Sequence, residues 1–386
     1  MNRRELLRNL SLAVPALRIG RLYAAPQGSP RLLIVFLRGG YDCLNMLVPY
    51  TSTDYYELRP NIAIPKPPES LQLDADWALA PALAPALASM YASKQLAFIP
   101  FAGTEDLSRS HFETQDSIEL GQPTDHQDLR SGFLARLATL VSGQRAIAFT
   151  DSLPVSFRGG QDVPNISLKS IAKPAFDERQ AGVLADMYAH HPLHAQVQEG
   201  LELRQHVSAA MADEMNQANR DAVTAKGFEL EAQRIGRLLR TDYGIGFVDV
   251  GGWDTHVNEN QTLATNLDSV GRGLQSLARE LGPEWSNTVV VVVSEFGRTF
   301  RENGNRGTDH GHGSVYWVAG GSLAGGRIAG RQQRIGRASL FQDRDLPVLN
   351  DYRSLIGGLM RSMWSLSTSQ LEQVFPAAPA LDLNLI

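Results

Sequence analysis

The chain alternates short apolar runs with longer stretches of mixed polarity. The first run, Leu32-Leu33-Ile34-Val35-Phe36-Leu37, follows Arg31 and stops at Arg38-Gly39-Gly40, which predicts a buried strand entering a tight loop. The same reasoning predicts strands over 96–101, 146–149, 246–250, 288–293 and 314–319. Five consecutive valines, Val289 to Val293, suit a strand covered on both faces. Residues 81–93 read as a helix. Residues 177–241 carry Ala, Leu, Glu, Gln and Arg at helical spacing and predict a helical insertion of two or three helices, set as a cap over the sheet. Strands alternating with helices predict an α/β fold, a mostly parallel central sheet with helices on both faces, in a single domain over 30–386. In such sheets ligands gather beyond the carboxyl ends of the strands.

The first 25 residues break this pattern. Arg3-Arg4 precedes two leucines, a mostly apolar run spans 10–17, and Tyr23-Ala24-Ala25-Pro26 closes it with small residues. That is the order of a cleavable signal, and the paired arginine marks the twin-arginine type. The expected location is periplasmic or otherwise exported, with the twin-arginine machinery as a partner. No later stretch has the roughly 18 uninterrupted apolar residues of a membrane helix, so stable membrane insertion is not expected.

Charge narrows the partners. Losing residues 1–25 removes five Arg and one Glu and moves the net charge from −5 to −9. An acidic chain of this kind is not expected to bind nucleic acid. Cys43 is the only cysteine, so an internal disulfide and a cysteine-rich metal site are both excluded. Any metal must be held by imidazole and carboxylate.

Four polar segments carry the candidate chemistry, and they cluster after predicted strands: 39–42, 108–112, 251–256, and 294–298 with 308–313. Of nine histidines, four fall in them: His111, His256, His310 and His312. Asp254 and His256, and Asp309, His310 and His312, are spaced too closely for a helical ligand pair and suit glycine-rich loops. Neutral imidazole with carboxylate suits zinc, manganese or a similar divalent ion. A polar loop network without metal accounts for the same residues.

Four motifs are recognisable together. They are Phe36-Leu37-Arg38-Gly39-Gly40-Tyr41-Asp42; Ser108-Arg109-Ser110-His111-Phe112; Gly252-Trp253-Asp254-Thr255-His256; and Ser294-Glu295-Phe296-Gly297-Arg298 through Asp309-His310-Gly311-His312-Gly313. In this order they resemble the bacterial domain-of-unknown-function 1501 family over about 30–380, including Asp351-Tyr352-Arg353. The resemblance implies an alkaline-phosphatase-like fold, as a distant branch of the alkaline phosphatase and sulfatase superfamily. It implies Asp42 on a metal, Asp254 and His256 on a metal, and Glu295, Asp309, His310 and His312 completing a set for one or two ions. It also implies a nucleophile at a helix start, with Ser110 and Ser108 as candidates beside His111; in a hydrolase built this way Arg109 or Arg298 would hold the anion. Phe296 stands where the superfamily has a metal-binding histidine. No formylglycine pattern, nucleophile elbow or phosphate loop is present.

Three functions follow as expectations. One is a metal-dependent hydrolase of phosphate or sulfate esters, acting on a small anionic substrate. The second is a non-catalytic envelope protein that keeps the fold for binding, and the third is a mutase or lyase on the same centre.

Overall fold

A computed structural model describes residues 28–141, 143–160, 163–168, 178–210 and 227–386. The candidate signal over 1–25 lies outside the described residues. The strands, in chain order, are β1 (Arg31–Leu37), β2 (Leu47–Val48), β3 (Leu71–Gln72), β4 (Ala78–Leu79), β5 (Leu96–Gly103), β6 (Ala146–Phe149), β7 (Ile245–Val250), β8 (Thr288–Val293), β9 (Ser314–Ala319), β10 (Arg327–Ile328) and β11 (Asn350–Asp351). The helices are α1 (Thr53–Leu58), α2 (Ala84–Ala92), α3 (His111–Leu120), α4 (Phe133–Leu140), α5 (Glu178–Met187), α6 (His194–Ala210), α7 (Phe228–Thr241), α8 (Glu259–Leu281), α9 (Tyr352–Trp364) and α10 (Thr368–Val374).

β1 is the spine of the main sheet, because all seven of its residues are buried. It pairs in parallel with β7 on one side and β8 on the other, Ile34 lying opposite Phe247 and Val291. Beyond β7 the parallel strand β6 closes one edge. Beyond β8 comes β9, which is antiparallel to both β8 and β5. The short strands β10 and β11 pair with β5 at the other edge. Strands β2, β4 and β3 form a separate small antiparallel sheet.

The alternation of side chains along β1 divides the core in two. Leu33, Val35 and Leu37 join one cluster, and Leu32, Ile34 and Phe36 join the other. The valine run of β8 divides the same way, Val290 and Val292 to the first cluster and Val289, Val291 and Val293 to the second. Helices α2, α7 and α8 cover the first face through residues such as Leu87, Ile235 and Leu274. Helices α4, α9 and α10 cover the second through Leu137, Leu355 and Leu371.

The helical stretch over 177–241 needs one correction. Helices α5 and α6 lie within it and 211–226 falls outside the described residues, but α7 is not part of a cap. Its residues Phe228, Ala232, Ile235, Leu238 and Leu239 are buried in the core, so α7 belongs to the covering layer.

The directions of the strands place the candidate residues. The loops after β1, β5, β7 and β8 leave the sheet at its carboxyl edge, and antiparallel β9 is entered from that same edge. Segment 308–313 precedes β9 and so meets the other loops there. Ile34→Ala removes a central side chain that is 2% exposed, and it is expected to cost about 2–5 kcal/mol in chemical denaturation. An unchanged denaturation midpoint would contradict the two-faced packing of β1.

Candidate metal centre

The loop after β1 turns inward on Gly39 and Gly40, whose φ angles of 123° and 61° suit glycine. Space demands glycine as well: a Cβ on Gly39 would lie 2.7 Å from the Asp254 backbone nitrogen, and one on Gly40 would strike the Phe296 ring. These contacts draw the β1, β7 and β8 loops into one layer.

Arg298 ties that layer together. Its guanidinium is buried and donates to the carbonyls of Gly39 and Gly40, to Trp253 at 3.1 Å and to Thr308 at 3.3 Å. It also donates to Asp254 Oδ1 at 2.6 Å. Burial alone would raise the Asp254 pKa, but the hydrogen bond and charge of Arg298, with His256, bring it down to about 2.

Asp254 Oδ1 is also the point on which three imidazoles converge. The Nε2 atoms of His256, His310 and His111 lie 2.8, 3.2 and 3.5 Å from it. The opposite ring nitrogen of each histidine meets an oxygen. His111 Nδ1 is 2.8 Å from Glu295 Oε1, His310 Nδ1 is 3.0 Å from the Arg109 carbonyl, and His256 Nδ1 is 3.4 Å from Asp309 Oδ1. A carbonyl can only accept, so His310 carries its proton on Nδ1 and turns the Nε2 lone pair toward Asp254. Glu295 selects the same tautomer of His111. Burial, together with the charges of His111 and Arg298, holds the His310 pKa below its ordinary value. The Glu295 hydrogen bond holds His111 above its ordinary value.

Taken together, these atoms form a set of acceptors. His256 Nε2 and His310 Nε2 are 3.1 Å apart, and because His310 Nε2 carries no proton this approach is bridged by a proton on His256 or by a cation. His111 Nε2 is buried without a hydrogen-bond partner. One ligand atom each from His111, Asp254 and His310 lie within 4.8 Å of one another. Imidazole nitrogens around a carboxylate oxygen, each oriented through its far nitrogen, fit a divalent ion such as zinc or manganese.

Several expected ligands lie outside this set. Asp42 is buried on the far side of its loop, where Arg59 clamps it at 2.5 and 3.1 Å. Arg59 is held in turn by the carbonyls of Thr299 and Phe300. Glu295 does not face the cluster with a free oxygen. It accepts from Gly39 N, Gln115 and His111, each at 2.8 Å, and from Ser294 at 2.9 Å. Asp309 props His256 and accepts from Asn303 at 3.2 Å. His312 packs against Phe341, with ring centres 5.1 Å apart, and burial brings its pKa down to about 4. Phe296 lies 5.0 and 5.1 Å from the His111 and His310 rings and walls one side of the cluster.

The serine loop sits beside the cluster. Ser110 is the N-cap of α3, directly before His111, and its side chain makes no cap hydrogen bond. Ser108 Oγ is engaged by Thr114 Oγ1 at 3.2 Å and by Ser110 N at 3.3 Å. Arg109 is paired with Asp345 at 2.7 Å, and its carbonyl holds His310. The expected anion holder Arg298 has its donors engaged by the carbonyls, by Asp254 and, through Nη1 at 3.4 Å, by His256 Nε2.

The sequence did not point to Arg59, Gln115, Asp345 or Glu259, which support the site. Glu259 opens α8 fully buried. Burial first, and the Asp42 charge second, push its pKa far above the ordinary carboxylate range.

The layout is that of an α/β protein with a histidine–carboxylate centre at the carboxyl edge of its sheet. The chain belongs to the family described as a protein of unknown function (DUF1501), whose model matches residues 29–375. No curated protein matches it. Among solved structures it is similar to a protein in the alkaline phosphatase superfamily from Vibrio parahaemolyticus, at 11% identity and a TM-score of 0.36, covering 77% of this chain and 62% of that one. It is also similar to the C-terminal periplasmic domain of EcEptC from Escherichia coli, in complex with Zn, at 8% identity and a TM-score of 0.38, covering 76% and 74%. A third is the soluble domain of lipooligosaccharide phosphoethanolamine transferase A from Neisseria meningitidis, at 12% identity and a TM-score of 0.39, covering 77% and 79%. The chain spans 62% of the length of the Vibrio protein.

Two predictions follow from the electrostatics. Arg298→Met strips Asp254 and the Gly39, Gly40 and Thr308 carbonyls of the guanidinium that donates to them and is expected to cost about 3–5 kcal/mol in denaturant unfolding; a wild-type midpoint would contradict the stitching role. Glu259 has a raised pKa in the folded chain and an ordinary one in the unfolded chain. Its contribution is therefore complete below the ordinary carboxylate pKa and is lost as pH rises through the folded value. Melting curves of wild type should fall relative to Glu259→Gln as pH climbs from acid to alkaline. Parallel curves would show that folding does not raise the Glu259 pKa.

Proposed function

We propose that this chain is an exported, metal-dependent hydrolase of phosphate or sulfate esters. The observation that carries the reading is the convergence of His111, His256 and His310 Nε2 on Asp254 Oδ1, with every far nitrogen held by an oxygen. His111, Asp254 and His310 would hold the ion, with His256 at its edge. A divalent ion bound there supplies Lewis-acid polarisation of an ester oxygen and neutralises developing charge.

The protein's own groups do the rest. Ser110 is the proposed nucleophile, because its hydroxyl is uncommitted by capping while Ser108 is engaged in the turn. It stands at the N-terminus of ten-residue α3, where backbone N–H groups and the helix dipole favour an anionic group. Glu295 holds His111 in one tautomer and one orientation. Arg298 keeps Asp254 ionised and adds a fixed positive charge to the same edge.

Export through the twin-arginine route is part of the proposal. That route carries folded chains, and a centre assembled from three separate segments exists only after folding. Arg3-Arg4→Lys-Lys is expected to retain the protein inside the cell, and continued export contradicts the route.

The catalytic reading is tested on purified chain by titrating Mn²⁺ or Zn²⁺ and assaying p-nitrophenyl phosphate and sulfate. Wild type is expected to bind metal and turn over an ester. His310→Ala should weaken metal binding at least about tenfold. Ser110→Ala should abolish turnover while metal binding persists. Absence of metal binding and turnover overturns the reading, and metal binding without turnover of any ester makes the chain a binding protein.

A further inference from the structure

Two of the three segments that carry the cluster run side by side before they reach it. Asn258 N donates to the Asn305 carbonyl and Glu259 N to the Arg306 carbonyl, both at 2.9 Å, and Thr308 N reaches the Thr255 carbonyl at 3.3 Å. Beneath them lies Glu259, with no exposed surface. Its Oε2 accepts from Thr308 Oγ1 at 2.8 Å and from Thr255 Oγ1 at 3.2 Å. Thr255 stands between Asp254 and His256, and Thr308 directly precedes Asp309 and His310. On its other oxygen Glu259 meets Asn45 Nδ2 at 3.4 Å.

We propose that Glu259 is a positioning residue for the metal centre: as a neutral carboxylic acid it joins the Asp254–His256 loop to the Asp309–His310 loop and anchors both to the Asp42–Arg59 pair. The proposal rests on the metal-dependent reading of the cluster. Charge counting supports the neutral form. Arg59 brings one positive charge, Asp42 and Glu259 are two carboxyls, and all three are buried. A proton held between the carboxyls leaves the group neutral, whereas two carboxylates would bury an unpaired charge. Asp42 has Arg59 on both oxygens, so it is the ionised partner, and Glu259 keeps the proton. Burial and Asp42 act on Glu259 in that same direction. The remaining neighbours of Glu259 are the donors Asn45, Thr255 and Thr308, which neither add nor remove charge.

This arrangement explains why a carboxyl with no contact to the cluster sits at its base. Asp254 and His310 are 3.2 Å apart across two separate loops, and a small slip of one against the other opens that distance. Two hydroxyl hydrogen bonds to one oxygen hold the loops in register at residues adjoining the ligands.

The experiment measures Mn²⁺ affinity by isothermal titration on the full purified chain, beside its melting temperature. Glu259→Ala is expected to weaken Mn²⁺ binding about 10–100-fold. Glu259→Gln keeps an oxygen for the threonines and an N–H for Asp42, so it should restore wild-type affinity. Because Glu259→Ala opens a buried site, Thr255→Val with Thr308→Val serves as the second test; it leaves the carboxyl in place and should weaken Mn²⁺ to a similar extent. A purely structural carboxyl would lower the melting temperature of these variants without changing their Mn²⁺ affinity, and that result overturns the proposal. So does a Glu259→Gln variant as weak as Glu259→Ala, which would make charge the working feature. Wild-type chain that binds no Mn²⁺ sinks the metal-dependent reading itself, an outcome distinct from wild-type binding with unaffected variants.

Discussion

The site depends on one buried guanidinium. Arg298 leaves the end of β8 and spends its donors on carbonyls from the β1 loop, the β7 loop and the segment before β9, then on Asp254. Carbonyls crowded at the ends of parallel strands have no strand partner. Without a donor they would repel one another and leave their hydrogen bonds unmade, at about 1–3 kcal/mol each. A fork of five N–H groups fixed in a plane answers several of them at once, which an ammonium could not do with the same reach. Its charge then fixes the ionisation of Asp254, so one side chain both closes the loop layer and sets the electrostatics of the cluster.

A second constraint is the reversal of β9. Every other strand of the main sheet runs with β1, and a parallel β9 would have delivered residues 308–313 to the opposite edge. Because β9 runs backward, the chain can pass from the end of β8 through Arg298, around the loop and back through His310 into β9 on one side of the sheet. Arg298 and His310 pair as an isolated bridge within that excursion. The histidine cluster is in this sense a product of topology, assembled from segments up to 199 residues apart, His111 to His310.

The parts of the fold that were legible from sequence share a cause. β1, β5, β6, β7, β8 and β9 are apolar runs long enough to carry a pattern. The two-residue strands β2, β3, β4, β10 and β11 are too short to carry one. Helix α8 was readable in principle, since Leu263, Leu267, Val270, Leu274, Leu277 and Leu281 recur every three or four residues. Its polar remainder hid it. The histidines were legible because glycine-rich loops at strand ends seldom concentrate them without a reason. Position in a loop does not say which way a side chain turns, however. Asp42 follows Gly39 and Gly40, yet it heads a short 3-10 helix at Cys43–Asn45 and turns to Arg59. Glu259 carried no signal, because a carboxylate opening a helix is ordinary and only the packed structure reveals its burial.

The edges of the main sheet have a consequence for how copies of the chain can meet. On one side β10 and β11 offer two residues each. On the other, β6 is four residues long, and its outer face is already hydrogen-bonded through Ala148 to Pro164 and Ile166. A bare strand edge is a template for another chain, and here neither edge is long enough or open enough to act as one. Among the described residues, the main sheet therefore offers another chain no long open strand to continue, and the surfaces left for contact between copies are mainly those of the helical layers and loops.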